Sequence, residues 1–371
     1  AALGEGPVTV VVGRPSLAES GALVGEAAGL LADGLDARFL PSLRRANVRG
    51  AIELGLSPGL LPGRVELDDG RSFFADRWDR VPDSAGHDSA GILAAAADGA
   101  VDVLVLLGAD PLNDVPDRDL ARRALDGAAT VIALDQFATD SALAADVVFG
   151  VAGYGECDGT TTNLEGRVSS VVQRVNAPGT ARSDWTIAAE LALRLDADLG
   201  FESVRDIADE IAAVSGLHAD VYADPERLEG DGVLTAGATG AGTPPALSGH
   251  RPPAAPDLPA PDAYSLRLVS GRRLYDAGTL LAHAPSLTGL AEPATVRVNP
   301  LDFDKLGIEE GDDVKVTSAR GSLVLPAHRD RQVPVGAALI PFNQPGGSGG
   351  DLITSEAAVT DVRLETTGGE R

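Results

Sequence analysis

The stretch "VDVLVLLGADP" (101–111) constrains this chain more than any other. Its apolar run offers hydrophobic side chains to both faces of a strand, the pattern of a central strand in a parallel sheet. Helical spacing follows at 117–126, then the strand "TVIALD" (130–135), a short helix starting near Thr139 and Asp140, and "ADVVFGV" (145–151). Strand, helix, strand, helix, strand at this spacing predicts a doubly wound, mostly parallel α/β sheet. Upstream, "PVTVVVG" (7–13) reads as a buried strand, and residues 20–35 and 91–99 read as helices. Residues 41–89 are rich in turn signals and less regular.

Beyond this sheet the pattern changes twice. Residues 178–195 predict a helix with Ser183 or Asp184 as N-cap and Trp185, Ile187, Leu191 and Leu195 on one side. Residues 203–216 predict a second amphipathic helix. Residues 239–262 hold seven prolines and no aromatic residue, the composition of a semi-extended linker. After it the apolar period becomes two, in "YSLRLVSG", "ATVRVNP", "DDVKVTSARGSLVLPAH", "GAALIPF" and "DVRLET", which predicts a compact β domain. One helix is inserted there, with Asn299 as N-cap, Pro300 in the first turn and Gly307 as C-cap. "SARG" (318–321) predicts a hairpin. The expected organisation is an α/β domain at 1–216, a linker at 217–262 and a smaller β-barrel-like domain at 263–371.

Charge narrows the function. The formal net charge is −25, from 37 Asp and 18 Glu against few cations, with Lys305 and Lys315 the only lysines. Direct binding to nucleic acid or to an anionic membrane surface is disfavoured. No apolar run approaches the length of a membrane span. The chain contains no methionine and runs almost at once into a strand, which is expected of a chain that starts inside a longer polypeptide.

Cys157, the only cysteine, lies in "GYGECDGTTTNLEGRV" (153–168). Glu156 and Asp158 beside it would raise its thiol pKa, and no histidine forms a motif with it, so it reads as a bystander. One cysteine cannot build an iron–sulfur cluster or a Cys/His zinc site. Gly13 ends a strand without a phosphate-loop motif. "LGADP" ends a strand at the carboxyl edge, where α/β folds place ligands, and also suits a plain turn. "QPGGSGGD" (344–351) could admit a phosphate to its backbone N–H groups but reads better as a flexible loop. The acidic pairs Asp68–Asp69, Glu309–Glu310 and Asp312–Asp313 read as solvated turns. These residues supply no self-contained catalytic or metal site, which points to a scaffold or subunit role.

Several motifs in order carry a resemblance: "LLGADPLNDVPDRDLARRAL", "VIALDQFATDSALAADVVF", "GECDGTTTNLEGRV", "APGTARSDWTIAAELALRL" and "NPLDFDKLGIEEGDDVKVTSARG". The chain resembles the molybdopterin oxidoreductase superfamily, and within it the large iron–sulfur (G-type) subunit of NADH:quinone oxidoreductase (respiratory complex I). "ARFLPSLRRANVRGAIELGLSPGLLPGRV" (37–65) is similar to the actinobacterial form. The resemblance implies a C-terminal double-psi barrel, iron–sulfur clusters held upstream of this sequence, other peripheral-arm subunits as partners, and a peripheral place on the cytoplasmic side of the cell membrane. If a pterin were bound, the matching positions would be Asp110, Asn163, Glu165, Arg167, Gly271, Arg272 and Asn343.

Departures argue against that pterin. Asp110 stands where Asn is usual before Pro, "VVFGV" replaces V-V-L-P, and "GGDLI" replaces the N-x-L-T ending. The expectation is therefore a cofactor-free portion in which Thr160 to Asn163 satisfy local backbone donors, and Glu165 and Arg167 hold a polar seam between the two domains. The competing readings are a pterin-bearing molybdenum or tungsten oxidoreductase such as a formate dehydrogenase, and an interaction module that borrowed the fold.

Overall fold

The computed structural model describes residues 8–367 except Pro15, Asp79, 223–224, 236–255, Pro261 and Ala263. It divides into two compact units, one built from 1–40, 93–148 and 251–371, the other from 41–92 and 149–250.

In the first unit the strands Val103–Leu107 and Thr130–Asp135 pair in parallel, and Val147–Gly150 follows Thr130–Asp135 in the sheet. The helices Ser89–Ala97 and Arg118–Gly127 cover one face, where Leu93, Ala96, Leu120, Ala124 and Leu125 pack on Leu104, Leu106, Val131 and Ala133. Each large aliphatic side chain buried there contributes about 1.5–3 kcal/mol. Asp117 caps the second helix through the Leu120 N–H at 2.9 Å, and Thr139 caps the short helix Asp140–Leu143.

The strand Val103–Leu107 differs from its prediction. Among the described residues it stands at the sheet edge, and only Leu104 and Leu106 are buried. Val103, Val105 and Leu107 are 52–58% exposed.

The same unit holds a closed six-stranded barrel in the order Leu266–Val269, Ala337–Leu339, Val296–Val298, Ser322–Arg329, Asp313–Thr317 and Asp361–Thr366. Two neighbouring pairs run parallel, 266–269 with 337–339 and 296–298 with 322–329. Alternate residues point inward, so Leu268, Val296, Val298, Val314, Val316, Leu325 and Val362 form the core around Phe303. Phe303 sits on the predicted helix, Pro300–Leu306, with Asn299 accepting from the Leu301 N–H and Gly307 in the left-handed region at φ 66°.

The sequence placed the sheet and the barrel in separate domains, 1–216 and 263–371, yet they share one unit. Buried Asp117 is a physical reason. Besides its capping bond it accepts from Arg320 Nη2 at 2.8 Å, the Ser355 N–H at 3.0 Å and the Ser355 hydroxyl at 3.2 Å.

In the second unit Gly159–Thr162, Arg167–Val171 and Val233–Leu234 make a three-stranded antiparallel sheet. Val168 packs there with Val221, Tyr222 and Leu228. Ser203 and Asp206 form a capping box on the helix Val204–Val214, which lies within the helix predicted at 203–216. The helix Asp184–Arg194 is less amphipathic than expected, since Ile187 is buried while Leu195 is 78% exposed.

The linker boundary at 217 falls within folded structure. Leu217, His218, Val221 and Tyr222 are buried, and Ala219–Tyr222 is helical. Most of the proline-rich segment, 239–255, lies outside the described residues. At its far end Asp262 accepts from the Tyr264 N–H at 2.7 Å, Arg363 at 3.0 Å and Ser265 at 2.9 Å, which holds its carboxyl at about 2.

Candidate functional site

The parallel strand Val103–Leu107 ends at Gly108, and the chain turns through Ala109 to Asp110 and Pro111. This is the carboxyl edge, where an α/β sheet presents its ligand groups. Asp110 is 4% exposed. Its Oδ1 accepts from the Ser141 hydroxyl at 2.6 Å and its Oδ2 from Asn113 Nδ2 at 2.8 Å. The Ser141 oxygen in turn accepts from the Leu112 N–H at 3.1 Å.

Two arginines complete the edge. Arg118 donates to the Leu112 carbonyl at 2.8 Å, to Asp351 at 3.3 Å, and more weakly to Asn343 Oδ1 at 3.5 Å. Arg272 donates to Asp114 at 2.8 Å, the Asn113 carbonyl at 3.0 Å and Asp276 at 3.1 Å, and stands 4.9 Å over the Phe342 ring. The Gly271 carbonyl accepts from the Phe342 N–H at 2.9 Å. The Ser348 hydroxyl accepts from the Asn343 N–H at 3.1 Å and the Gly350 N–H at 3.0 Å. Asn343 itself adopts φ 56°, uncommon for a residue with a side chain.

The loop 344–351 is not the open loop its composition suggested. Ser348, Gly349 and Gly350 are buried. A Cβ at Gly349 would strike Ser270, and one at Gly350 would lie 3.0 Å from Phe342 and 3.2 Å from the Pro116 carbonyl.

Of the seven positions singled out in the sequence, the structure therefore brings Asp110, Gly271, Arg272 and Asn343 together. Asn113, Arg118, Ser141 and Asp351 join them and were missed, because the contacts that gather them span up to 233 residues of sequence. The other three, Asn163, Glu165 and Arg167, lie in the second unit.

There the motif has its own logic. Asn163 Oδ1 accepts from the N–H groups of Glu165 at 2.9 Å and Arg167 at 3.0 Å, the local satisfaction expected of it. Glu165 and Arg167 lie 3.5 Å apart, and Arg167 also reaches the Gly232 carbonyl at 3.4 Å. Arg49, on the helix Val48–Glu53, donates to the Leu164 carbonyl at 2.7 Å and to Glu53 at 2.8 Å. Gly166 sits under that guanidinium at φ 89°, and a Cβ on it would lie 2.7 Å from Arg49 Cζ. Glycine is thus required twice, for its backbone angle and for the passage of Arg49.

Behind Arg49 lies a buried polar chain that no motif announces. Glu53, Ser215 and His218 are each at most 1% exposed. His218 Nδ1 is 2.7 Å from the Ser215 hydroxyl, and His218 Nε2 is 3.6 Å from Glu53 Oε2. Burial pushes the Glu53 carboxyl up, but His218 and Arg49 together outweigh it and hold the group below the usual carboxylate range. The order Ser, His, Glu is that of a hydrolytic triad, but its complete burial keeps substrate out.

Cys157 lies 3.7 Å from the Gly153 carbonyl. Burial pushes its thiol up, and Asp184, Asp158 and Glu156 push in the same direction. Among the described residues no three or more His, Cys, Asp or Glu side chains are grouped to hold a metal ion.

Residues 19–194 match the molybdopterin oxidoreductase family, and residues 266–366 match the molybdopterin dinucleotide binding domain. The chain belongs to the molybdopterin oxidoreductase family. The second G-type subunit of the NADH-quinone oxidoreductase of Rhizobium meliloti is 32% identical over 310 residues, 82% of this chain and 35% of that protein. The F420-dependent formate dehydrogenase subunit alpha of Methanocaldococcus jannaschii is 30% identical over 321 residues, 80% of this chain and 46% of that protein. The chain thus spans well under two thirds of the length of these relatives. Acetylene hydratase from Pelobacter acetylenicus shares the fold with a TM-score of 0.52 and 17% identity, over 76% of this chain and 47% of that one.

A pterin dinucleotide carries a pyrophosphate, which needs free cationic or N–H donors. At the carboxyl edge of the sheet the two guanidinium groups face Asp114, Asp276 and Asp351, and Asp110 adds a fourth carboxylate. The charge of this edge does not fit an anionic phosphate.

Proposed function

We propose that this chain is a cofactor-free scaffold portion of the large iron–sulfur subunit of an NADH:quinone oxidoreductase, supporting electron transfer through clusters held in other sequence. The observation that carries the reading is the edge around Asp110, where Arg118 and Arg272 already answer carboxylates of the same chain. A guanidinium held by carboxylates has little attraction left for phosphate. The likeness to the Rhizobium meliloti subunit supports the assignment to that complex. Its partners would be the other peripheral-arm subunits, on the cytoplasmic side of the membrane. No helix among the described residues is long and apolar enough to cross a membrane. The test is a tag on this region in the native host. The tagged protein is expected to comigrate with flavin- and iron–sulfur-bearing subunits in NADH:quinone reductase fractions, and its absence from those fractions would refute the assignment.

A second reading has its own support. Asn343 Nδ2 and Gln344 Oε1 are buried without a hydrogen-bond partner, which is costly unless something outside the chain supplies one. The likeness to a formate dehydrogenase agrees with a pterin-bearing molybdenum or tungsten oxidoreductase. Pterin analysis of the same tagged protein separates the two readings.

A further inference from the structure

The second unit carries a cationic surface on a chain whose formal net charge is −25. Residues 41–52 hold three arginines and no acidic residue. These three, Arg44, Arg45 and Arg49, line a surface cavity of about 300 Å³ together with Leu43, Thr161 and Leu164, and no carboxylate is among the lining side chains. Arg49 is engaged with the Leu164 carbonyl and with Glu53. Arg44 is exposed and, among the described residues, its side chain makes no hydrogen bond or ion pair. By contrast Arg118, Arg272 and Arg320 in the first unit each face a carboxylate. The rim of the cavity is held in place. Asn47 adopts φ 60°, and its Oδ1 accepts from the Thr162 N–H at 2.9 Å, which ties the arginine loop to the strand Gly159–Thr162. A Cβ on Gly50 would lie 2.8 Å from Thr162 Oγ1, so glycine lets loop and strand approach. Beside the guanidinium groups, Leu43 is 39% and Leu164 42% exposed.

We propose that this cavity docks a short acidic segment of a partner protein, one in which carboxylates alternate with apolar side chains. Charge sets the sign of the occupant, because a guanidinium pairs with a carboxylate through two parallel hydrogen bonds. The two exposed leucines favour a polypeptide over a small oxyanion, which has no apolar surface to bury against them. A loop already fixed by Asn47 needs little ordering when the segment arrives. The negative charge of the rest of the chain repels the same segment, so attraction at the cavity and repulsion elsewhere together fix where it binds. The proline-rich residues 239–255 contain no acid and do not suit the cavity. The proposal goes beyond the complex I reading and does not depend on it, because it concerns the chemistry of a contact and no redox role.

The test uses the full-length protein purified from its native host. A fluorescein-labelled peptide of alternating Asp and Leu is titrated against it and followed by anisotropy. The double substitution Arg44→Glu, Arg45→Glu is expected to weaken binding at least ~10-fold, and raising KCl from ~0.05 M to ~0.5 M to weaken binding to the unsubstituted protein by a similar factor. A peptide of alternating Asp and Ser is expected to bind at least ~10-fold more weakly than the Asp and Leu peptide. In the native host, a photo-cross-linker in place of Leu43 is expected to join a segment of a different polypeptide whose sequence carries Asp or Glu beside apolar residues. Binding that ignores the substitutions or the salt overturns the proposal, as does equal binding of the Asp and Ser peptide. Displacement of the peptide by an equal concentration of inorganic phosphate overturns it in favour of a small-anion site. Cross-links to a second copy or within the same polypeptide, or none, overturn it too. The salt and peptide comparisons need no variant and stand even if the double substitution unfolds the protein. None of these readouts uses comigration with flavin-bearing subunits or pterin content, so their failure is distinct from failure of the proposed function.

Discussion

Replacing Gly166 by alanine tests why the motif 156–167 is built as it is. The residue has φ 89°, a conformation that costs an alanine about 1–2 kcal/mol. The new Cβ would also lie 2.7 Å from Arg49 Cζ and 2.8 Å from Thr235 Oγ1. A free arginine would swing aside at little cost. Arg49 is not free, because it holds the Leu164 carbonyl and the buried Glu53 carboxylate. Moving it removes the closest cation from a carboxylate with no solvent exposure, a loss of about 3–5 kcal/mol. His218 remains 3.6 Å from the other Glu53 oxygen, which places the expected loss at the lower end, about 3 kcal/mol for the pair. Gly166→Ala should therefore cost about 4 kcal/mol in all, and Arg49→Ala alone about 3 kcal/mol. In the Arg49→Ala background the glycine change should cost only its backbone strain and the approach to Thr235 Oγ1, about 1–2 kcal/mol. Urea unfolding followed by the fluorescence of Trp78 and Trp185, both in the second unit, measures all three variants. Strict additivity, or a Gly166→Ala cost below about 1 kcal/mol, would refute the reasoning.

The remaining expectations are simpler. Glu53 is held below its ordinary pKa, so its contribution to stability is complete above the unfolded carboxylate pKa and is lost as pH falls through the folded value. Acid unfolding of the second unit should therefore start below about pH 4.5, and Glu53→Gln should flatten that limb of the stability curve. Asp117→Ala removes a helix cap, the partner of the Ser355 N–H and the closer of the two carboxylates of Arg320, which keeps Asp119 at 3.3 Å, and should cost about 2–3 kcal/mol by urea titration of the first unit. The Cys157 thiol is raised, so iodoacetamide should modify it more slowly than free cysteine at neutral pH. Asp184→Asn should quicken the reaction, as followed by intact mass.

Much of this architecture was legible in the sequence because it depends on local chemistry. Ser20, Thr139, Ser203 and Asn299 cap helices where their side chains reach backbone N–H groups within one turn. The change to period two after the linker became the barrel. The edge position of Val103–Leu107 was hidden, since an apolar run reads the same whether the strand has one neighbour in the sheet or two. The grouping of sheet and barrel in one unit was hidden for a related reason, as the Asp117–Arg320 contact spans 203 residues and leaves no trace in either local pattern. At the carboxyl edge Asp110 and Arg272 were read from motifs, whereas Arg118 and Asp351 become visible only when the chain folds. The buried Glu53–His218 pair had no sequence signal, because its members belong to distant helical segments.

The central claim is that the edge around Asp110 holds no pterin, its arginines being already answered by carboxylates. The most direct test is the pterin, molybdenum, tungsten and iron content of the full-length protein, purified natively through a tag on this region. Iron without pterin, molybdenum or tungsten is the expected result. Stoichiometric pterin with molybdenum or tungsten would contradict the claim.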